Sequence, residues 1–276
     1  MALYPFFMTT THTTKKICVQ YSAPVEHCAR RICAYPPAER GSQNVSNLSW
    51  RCFPPPDKTR EHADEFGNRV LEIYHRRLTR EFRFELEFSS HRHHCNSARE
   101  ENLPPTGIGA FLLPSARCDS TTEIQSLARA LGSTTEFHSK EELATRLCDY
   151  THHALRYDEE ATDVFTTASQ ALDIGAGVCQ DYAHLMIALC RAANLPARYV
   201  SGYNPSEGAM HAWCEVLCDN LWLAFDPTHN RPTRADCVYV ATGRDYRDVA
   251  PTRGTFSGRA QTRMQIHCVT RVEEST

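Results

Sequence analysis

The spacing of apolar residues changes period near Pro104-Pro105, and that change constrains the fold more than any other feature of the chain. Before it, the sequence reads as extended segments. Phe82, Phe84, Leu86 and Phe88 alternate strictly with charged residues over 81–88, which gives one apolar face at a period of two. That is the pattern of a half-buried antiparallel strand. Shorter runs at 16–21, 46–53 and 69–74 have the same character. Turn-forming stretches separate them: Pro36-Pro37, Gly41-Ser42, Pro54-Pro55-Pro56-Asp57 and Phe66-Gly67-Asn68. Several such strands at short spacing predict a small β-sandwich.

After Pro104-Pro105 the period becomes helical. Helices are expected over 121–131 and 139–156, the second opened by Ser139 three residues before Glu142 in a capping-box pattern. Further helices are expected over 167–173 and 179–193, the latter stopped before Pro196. Strands follow at 197–203, 211–217 and 221–225. Helices first and strands second predict an α+β domain. The two grammars divide the chain into 1–117 and 118–276.

Composition narrows the function classes. With 30 basic and 33 acidic residues the net charge is −3, which offers no electrostatic case for nucleic acid or anionic lipid. A mean hydropathy of −0.48 and the lack of an apolar run near eighteen residues argue against a membrane-spanning helix. Thirteen cysteines, an odd number in a long chain, suit buried thiols better than a disulfide scaffold, and a reducing cytoplasm is the expected location.

The chemistry concentrates in 173–191. Gly175 and Gly177 permit a tight turn, and Cys179 then falls in the first turn of a helix. Unpaired N–H groups and the positive end of the dipole there favour a thiolate, and they can also stabilise an oxyanion. A cysteine nucleophile needs a base and a group that orients it. His211 opens one strand and Asp226 ends the next, so two adjacent antiparallel strands can bring imidazole and carboxylate together.

Four blocks, Gly177-Val178-Cys179-Gln180-Asp181-Tyr182-Ala183, Ala197–Tyr203, His211-Ala212-Trp213 and Ala224-Phe225-Asp226-Pro227-Thr228, together resemble the transglutaminase-like superfamily, and most of all its bacterial cysteine-peptidase branch. Tyr21–Val25 and Asp64–Asn68 are similar to the N-terminal β-domain of that branch. Residues 243–249 and 253–256 are similar to its C-terminal strands. The resemblance implies a papain-like transglutaminase core preceded by an N-terminal β-sandwich. It also implies Cys179 as nucleophile, His211 as base and then acid, Asp226 as the orienting group, and a thioester intermediate on a protein or peptide amide. Acyl transfer by the same three residues, and a non-catalytic binding module, are the rival readings.

Departures accompany the match. His229 stands where Asn is usual, the loop before Trp222 lacks the usual Gly, and no Gln upstream of Cys179 supplies the papain-type oxyanion donor. Trp213 and Tyr203 are candidate substrate contacts, Trp213 and Trp222 read first as core aromatics bracketing the site, and His184 reads as a packed or surface histidine off the Cys179 face. No cofactor or metal is expected. The cluster His91-Arg92-His93-His94-Cys95 has no second Cys/His pair at finger spacing, and no EF-hand loop or comparable acidic cluster suggests calcium.

Overall fold

The computed structural model describes residues 8–93, 99–100, 107–133, 139–205, 210–234 and 236–273. Its first part is built from β1 (Met8–Tyr21), β2 (Val25–Ile32), β3 (Glu39–Arg40), β4 (Gln43–Phe53), β5 (Lys58–Ala63), β6 (Arg69–Leu78) and β7 (Glu81–His93). A short β8 (Arg99–Glu100) follows. After a 3-10 turn at Gly109–Phe111 come α1 (Thr122–Gly132), α2 (Lys140–Ala154), β9 (Arg156–Tyr157), α3 (Ala168–Ile174), β10 (Ala176–Gly177) and α4 (Cys179–Ala192). The chain ends with β11 (Ala197–Tyr203), β12 (Met210–Cys218), β13 (Leu221–Asp226), β14 (Arg231–Pro232), β15 (Val238–Gly243), α5 (Tyr246–Val249), β16 (Thr252–Ser257) and β17 (Thr262–Val272).

Two antiparallel sheets make the sandwich, in the orders β17-β1-β7-β4-β3 and β16-β2-β6-β5. The alternation at 81–88 does what its period requires. Phe82, Phe84, Leu86 and Phe88 are buried against Ile17 and Val19 of β1 and against Val25, Val70 and Ile73 of the other sheet. The two C-terminal strands return to this body: β17 pairs with β1 from Thr11↔Val272 to Tyr21↔Thr262, and β16 pairs with β2. Strands β2 and β5 do not stand out in the sequence. β5 (Lys-Thr-Arg-Glu-His-Ala) buries no side chain, and β2 is interrupted at His27, whose φ is +49°.

The second body has a sheet in the order β14-β13-β12-β11-β15, with β8 also on β13, and helices packed on it. Every residue of α4 from Gln180 to Arg191 is buried. A helix apolar on one side only would not be; α1, α2 and α3 enclose α4 on the faces the sheet leaves open. Buried Arg191 on α4 is satisfied by the carbonyls of Phe111, Ala197 and Arg244 and by Ser115 Oγ. The expected Ser139 cap is present, accepting from Glu142 N–H. Thr121 and Thr167 cap their helices likewise, accepting from Ile124 and Gln170 N–H, with Thr167 completing a capping box with the Gln170 side chain. Each contributes about 1 kcal/mol.

Side-chain amides join the bodies along the free edge of β15. Gln43 donates to the Tyr239 carbonyl and accepts from its N–H, and Asn68 does the same to Thr242 at 2.7 Å for both bonds. Each amide replaces a missing strand neighbour, so the edge is covered rather than left open to another chain. Arg40 reaches the buried Arg198–Glu215 pair at 3.1 Å, and the Tyr203 hydroxyl donates to the Ala34 carbonyl.

Candidate functional site

The turn before α4 is shaped by two glycines for different reasons. Gly175 caps α3 with φ +68°, a left-handed conformation that a side chain disfavours. Gly177 is required for close approach, because a Cβ there would lie 2.5 Å from Asp181 Oδ2. That carboxylate oxygen accepts from the Val178 N–H at 2.8 Å and from the Thr162 hydroxyl at 2.6 Å, which holds the segment entering the helix. Asp181 is fully buried, and burial pushes its pKa up in spite of these bonds. The sequence reading did not single it out; an acidic third residue in a helix that follows a glycine was the available signal.

Cys179 is the first residue of α4 and is half-buried. It lines a cavity of about 370 Å³ at the seam of the two bodies, together with His211, Tyr199, Ser201 and Met210. The facing wall comes from Tyr246, Pro251 and the β17 residues Ile266, His267 and Cys268. The sandwich therefore supplies part of the site. Burial, then the Cys179 sulfur, raise the Tyr199 phenol well above its ordinary value, so it faces the cavity as a protonated donor.

His211 sits on β12 opposite Gly202 of β11, where the register with β15 also shifts. A Cβ on Gly202 would come within 2.2 Å of the Trp213 ring and 2.3 Å of the Val238 carbonyl oxygen. Gly202→Ala is thus expected to lower stability by about 1–3 kcal/mol, seen as a drop in melting temperature, because neither neighbour can yield without moving β12 or β15. An unchanged melting temperature would mean the strands reseat freely.

His211 is buried, and its Nε2 donates to Asp226 Oδ2 at 3.0 Å. Burial alone would raise the Asp226 carboxyl, but the hydrogen bonds and charge of His211 and then His229 outweigh it and hold the group below the usual carboxylate range. His229 donates from Nδ1 to the same Oδ2 at 2.8 Å. The residue that stands where Asn is usual therefore binds the Asp226 carboxylate directly. The turn carrying it is tied to α2 by His152 to the Pro227 carbonyl and Asn230 to Asp149. His211, Asp226 and His229 also place three ligand-type atoms within 4.8 Å of one another, enough for a small cation. Two imidazole N–H donors sharing one carboxylate account for the cluster without one.

The other expectations fall as follows. Trp213 stacks on His211 with centroids 6.2 Å apart but is itself buried with Val200, Cys237 and Tyr239. Tyr203 is buried against Phe88 and bonded to Ala34. Neither lines the cavity, so the structure makes Trp213 a support behind His211 and Tyr203 part of the seam between the bodies. Trp222 packs elsewhere, with Phe66, Phe111 and Leu217 and under Arg198. His91 spends both ring nitrogens on Thr10 and Ser46, while His94 and Cys95 lie outside the described residues. The twelve described cysteines are all free thiols.

His184 is a fully buried histidine whose Nε2 accepts from the Tyr246 N–H at 3.1 Å. Burial drives its pKa far below the ordinary histidine value, against the pull of Asp245. Since the unfolded chain takes up the proton first, this contribution to stability is complete above about pH 6.5 and is lost as pH falls. The melting temperature is expected to drop from pH 7 to pH 5, with a shallower slope in His184→Gln, whose amide still accepts but does not titrate. Equal slopes would contradict the assignment.

Comparison with known proteins adds the family. Residues 125–227 match the transglutaminase-like superfamily, and residues 11–89 match the bacterial transglutaminase-like N-terminal region. An uncharacterized protein of Mycobacterium leprae is 31% identical over 165 residues, covering 56% of this chain and 58% of that protein. An uncharacterized protein of Mycobacterium tuberculosis is 38% identical over 130 residues, covering 41% and 40% respectively. The chain thus spans roughly half the length of these relatives. The crystal structure of a candidate cysteine protease from Cytophaga hutchinsonii has the same fold, with a TM-score of 0.79, 24% identity and coverage of 98% of this chain and 94% of that one. No described helix is long and apolar enough to cross a membrane.

Proposed function

We propose that this chain of the transglutaminase-like superfamily, with its bacterial-type N-terminal region, is a thiol-dependent hydrolase of protein or peptide amides. The observation that carries the reading is the shared cavity of Cys179 and His211, with the imidazole fixed on the buried Asp226 at 3.0 Å. Asp226 takes the Nε2–H, so Nδ1 is the nitrogen left to accept the thiol proton. The thiolate then attacks the amide carbon and the carbonyl oxygen becomes an oxyanion at the start of α4. The Cys179 N–H faces it there, and the phenol of Tyr199 is a second donor in the same wall. His211 returns the proton to the departing amine, leaving a thioester. Water, deprotonated by the same Nδ1, attacks the thioester, releases a carboxylic acid and restores the thiol.

Acyl transfer shares every step up to the thioester, with an amine in place of water. The description of the Cytophaga structure as a candidate cysteine protease supports hydrolysis. The reducing, cytoplasmic location belongs to this proposal and rests on the cysteine usage alone. The test is a peptide mixture incubated in ¹⁸O-labelled water with a labelled primary amine, read by mass spectrometry. Hydrolysis predicts new carboxylates carrying ¹⁸O that vanish with Cys179→Ala. Amine adducts would establish acyl transfer instead, and no product of either kind would favour the binding module.

A further inference from the structure

We propose that Lys15 makes this cavity selective for substrates that bear a carboxylate next to the amide under attack. The inference rests on Cys179 being the nucleophile there.

The inward face of β1 reads Thr13, Lys15, Ile17, Val19, so a cation occupies a position where the pattern calls for an apolar residue. Lys15 is 1% exposed. Its ammonium contacts the Met210 sulfur, lies 5.4 Å from the centre of the Tyr203 ring, and pairs with no carboxylate among the described residues. The nearby thiols are no substitute. Burial pushes Cys33 up to about 11 and also raises Cys268, so both are neutral at physiological pH. Burial pulls Lys15 down to about 8, which leaves most of it charged at pH 7.

A buried ammonium without a counter-ion is costly, and a methionine in its place would pack without that cost. The buried arginines among the described residues are better served. Arg198 and Arg40 share Glu215, and Arg191 is surrounded by carbonyls. The exception lies directly behind the wall of the cavity. Met210, which touches the ammonium, immediately precedes His211 and lines the cavity, as does Cys268, the partner of Lys15 in the β1–β17 register. The described lining contains no Asp, Glu, Lys or Arg, and the Lys15 ammonium lies directly behind the Met210 side chain that forms part of its wall. Met210 is unbranched and adaptable, and in this proposal it turns aside to let a carboxylate reach the ammonium.

The test needs no known substrate. Alkylation of Cys179 is timed at pH 7 with iodoacetate, an anion, and with iodoacetamide, its neutral analogue, by peptide mapping. The iodoacetate-to-iodoacetamide rate ratio at Cys179 is expected to exceed that of free glutathione by about fivefold to tenfold. Lys15→Met should return the ratio to the glutathione value with the iodoacetamide rate unchanged, and Lys15→Arg should retain the enhancement. A wild-type ratio equal to that of glutathione overturns the proposal before any variant is made. It is equally overturned if Lys15→Met slows both reagents alike, which is the mark of a structural role. Failure of Cys179 to react with iodoacetamide ahead of the buried thiols is a different result: it removes the nucleophile, and this proposal falls with it.

Discussion

Cys179→Ala is expected to abolish turnover, and Cys179→Ser to lower it by about 10⁵-fold or more, with the fold intact in both. A serine oxygen in the same place has no comparable acidity, and the imidazole that suffices for a thiol does not make it a nucleophile. The fold should survive because the residue is half-buried at the first position of α4, on the wall of a cavity. The melting temperature should therefore move by no more than about 4 °C. Measuring activity and melting on the same preparations separates the roles. Lost activity with an unchanged melting temperature is the expected outcome, and residual activity within tenfold of wild type would show that another group carries the chemistry.

The second large effect divides His211 from Asp226. His211→Ala removes the group that takes and returns the proton and should cost about 10⁴-fold. Asp226→Asn should cost less, because an amide oxygen still accepts the Nε2–H and holds the ring while the stabilising charge is gone. One complication is built into the structure. His229 donates to the same Oδ2, so in the wild type a single carboxylate serves two imidazoles, and an Asn oxygen has less charge to share between them. Equal losses for the two variants would contradict the division of roles and assign Asp226 more than orientation.

Much of this was readable from the chain because its signals were local. The alternation at Phe82–Phe88, the capping residue Ser139, and the glycines ahead of Cys179 each state their structure within a few residues. Adjacent strands, one opened by His211 and the next ended by Asp226, were likewise a short-range reading that the 3.0 Å contact reproduces. What stayed hidden depends on distant pairing. That β17 joins β1 and walls the cavity with Ile266, His267 and Cys268 has no local signature, since the strand is largely exposed and its apolar residues follow no clean period. Trp213 and Tyr203 were candidate substrate contacts in the sequence, with a core role for Trp213 the first reading. Their burial follows instead from Gly202, whose missing Cβ admits the Trp213 ring, and from the Ala34 carbonyl that holds Tyr203. Lys15 was invisible as anything but a surface lysine, beside the exposed Lys16, until the strand's face was known.

The central claim is that Cys179 and His211 act as one thiol–imidazole pair, and selective alkylation near pH 6 tests it most directly. Ten of the twelve described thiols are raised by burial, to about 11 in Cys33, Cys52 and Cys218 and about 12 in Cys118, Cys148 and Cys237, and should be inert there. Intact-mass and peptide-map readout on wild type should show Cys179 modified first, well ahead of every other thiol, and His211→Ala should lose that lead. A Cys179 no faster than its siblings, or one whose lead survives the loss of His211, would contradict the account.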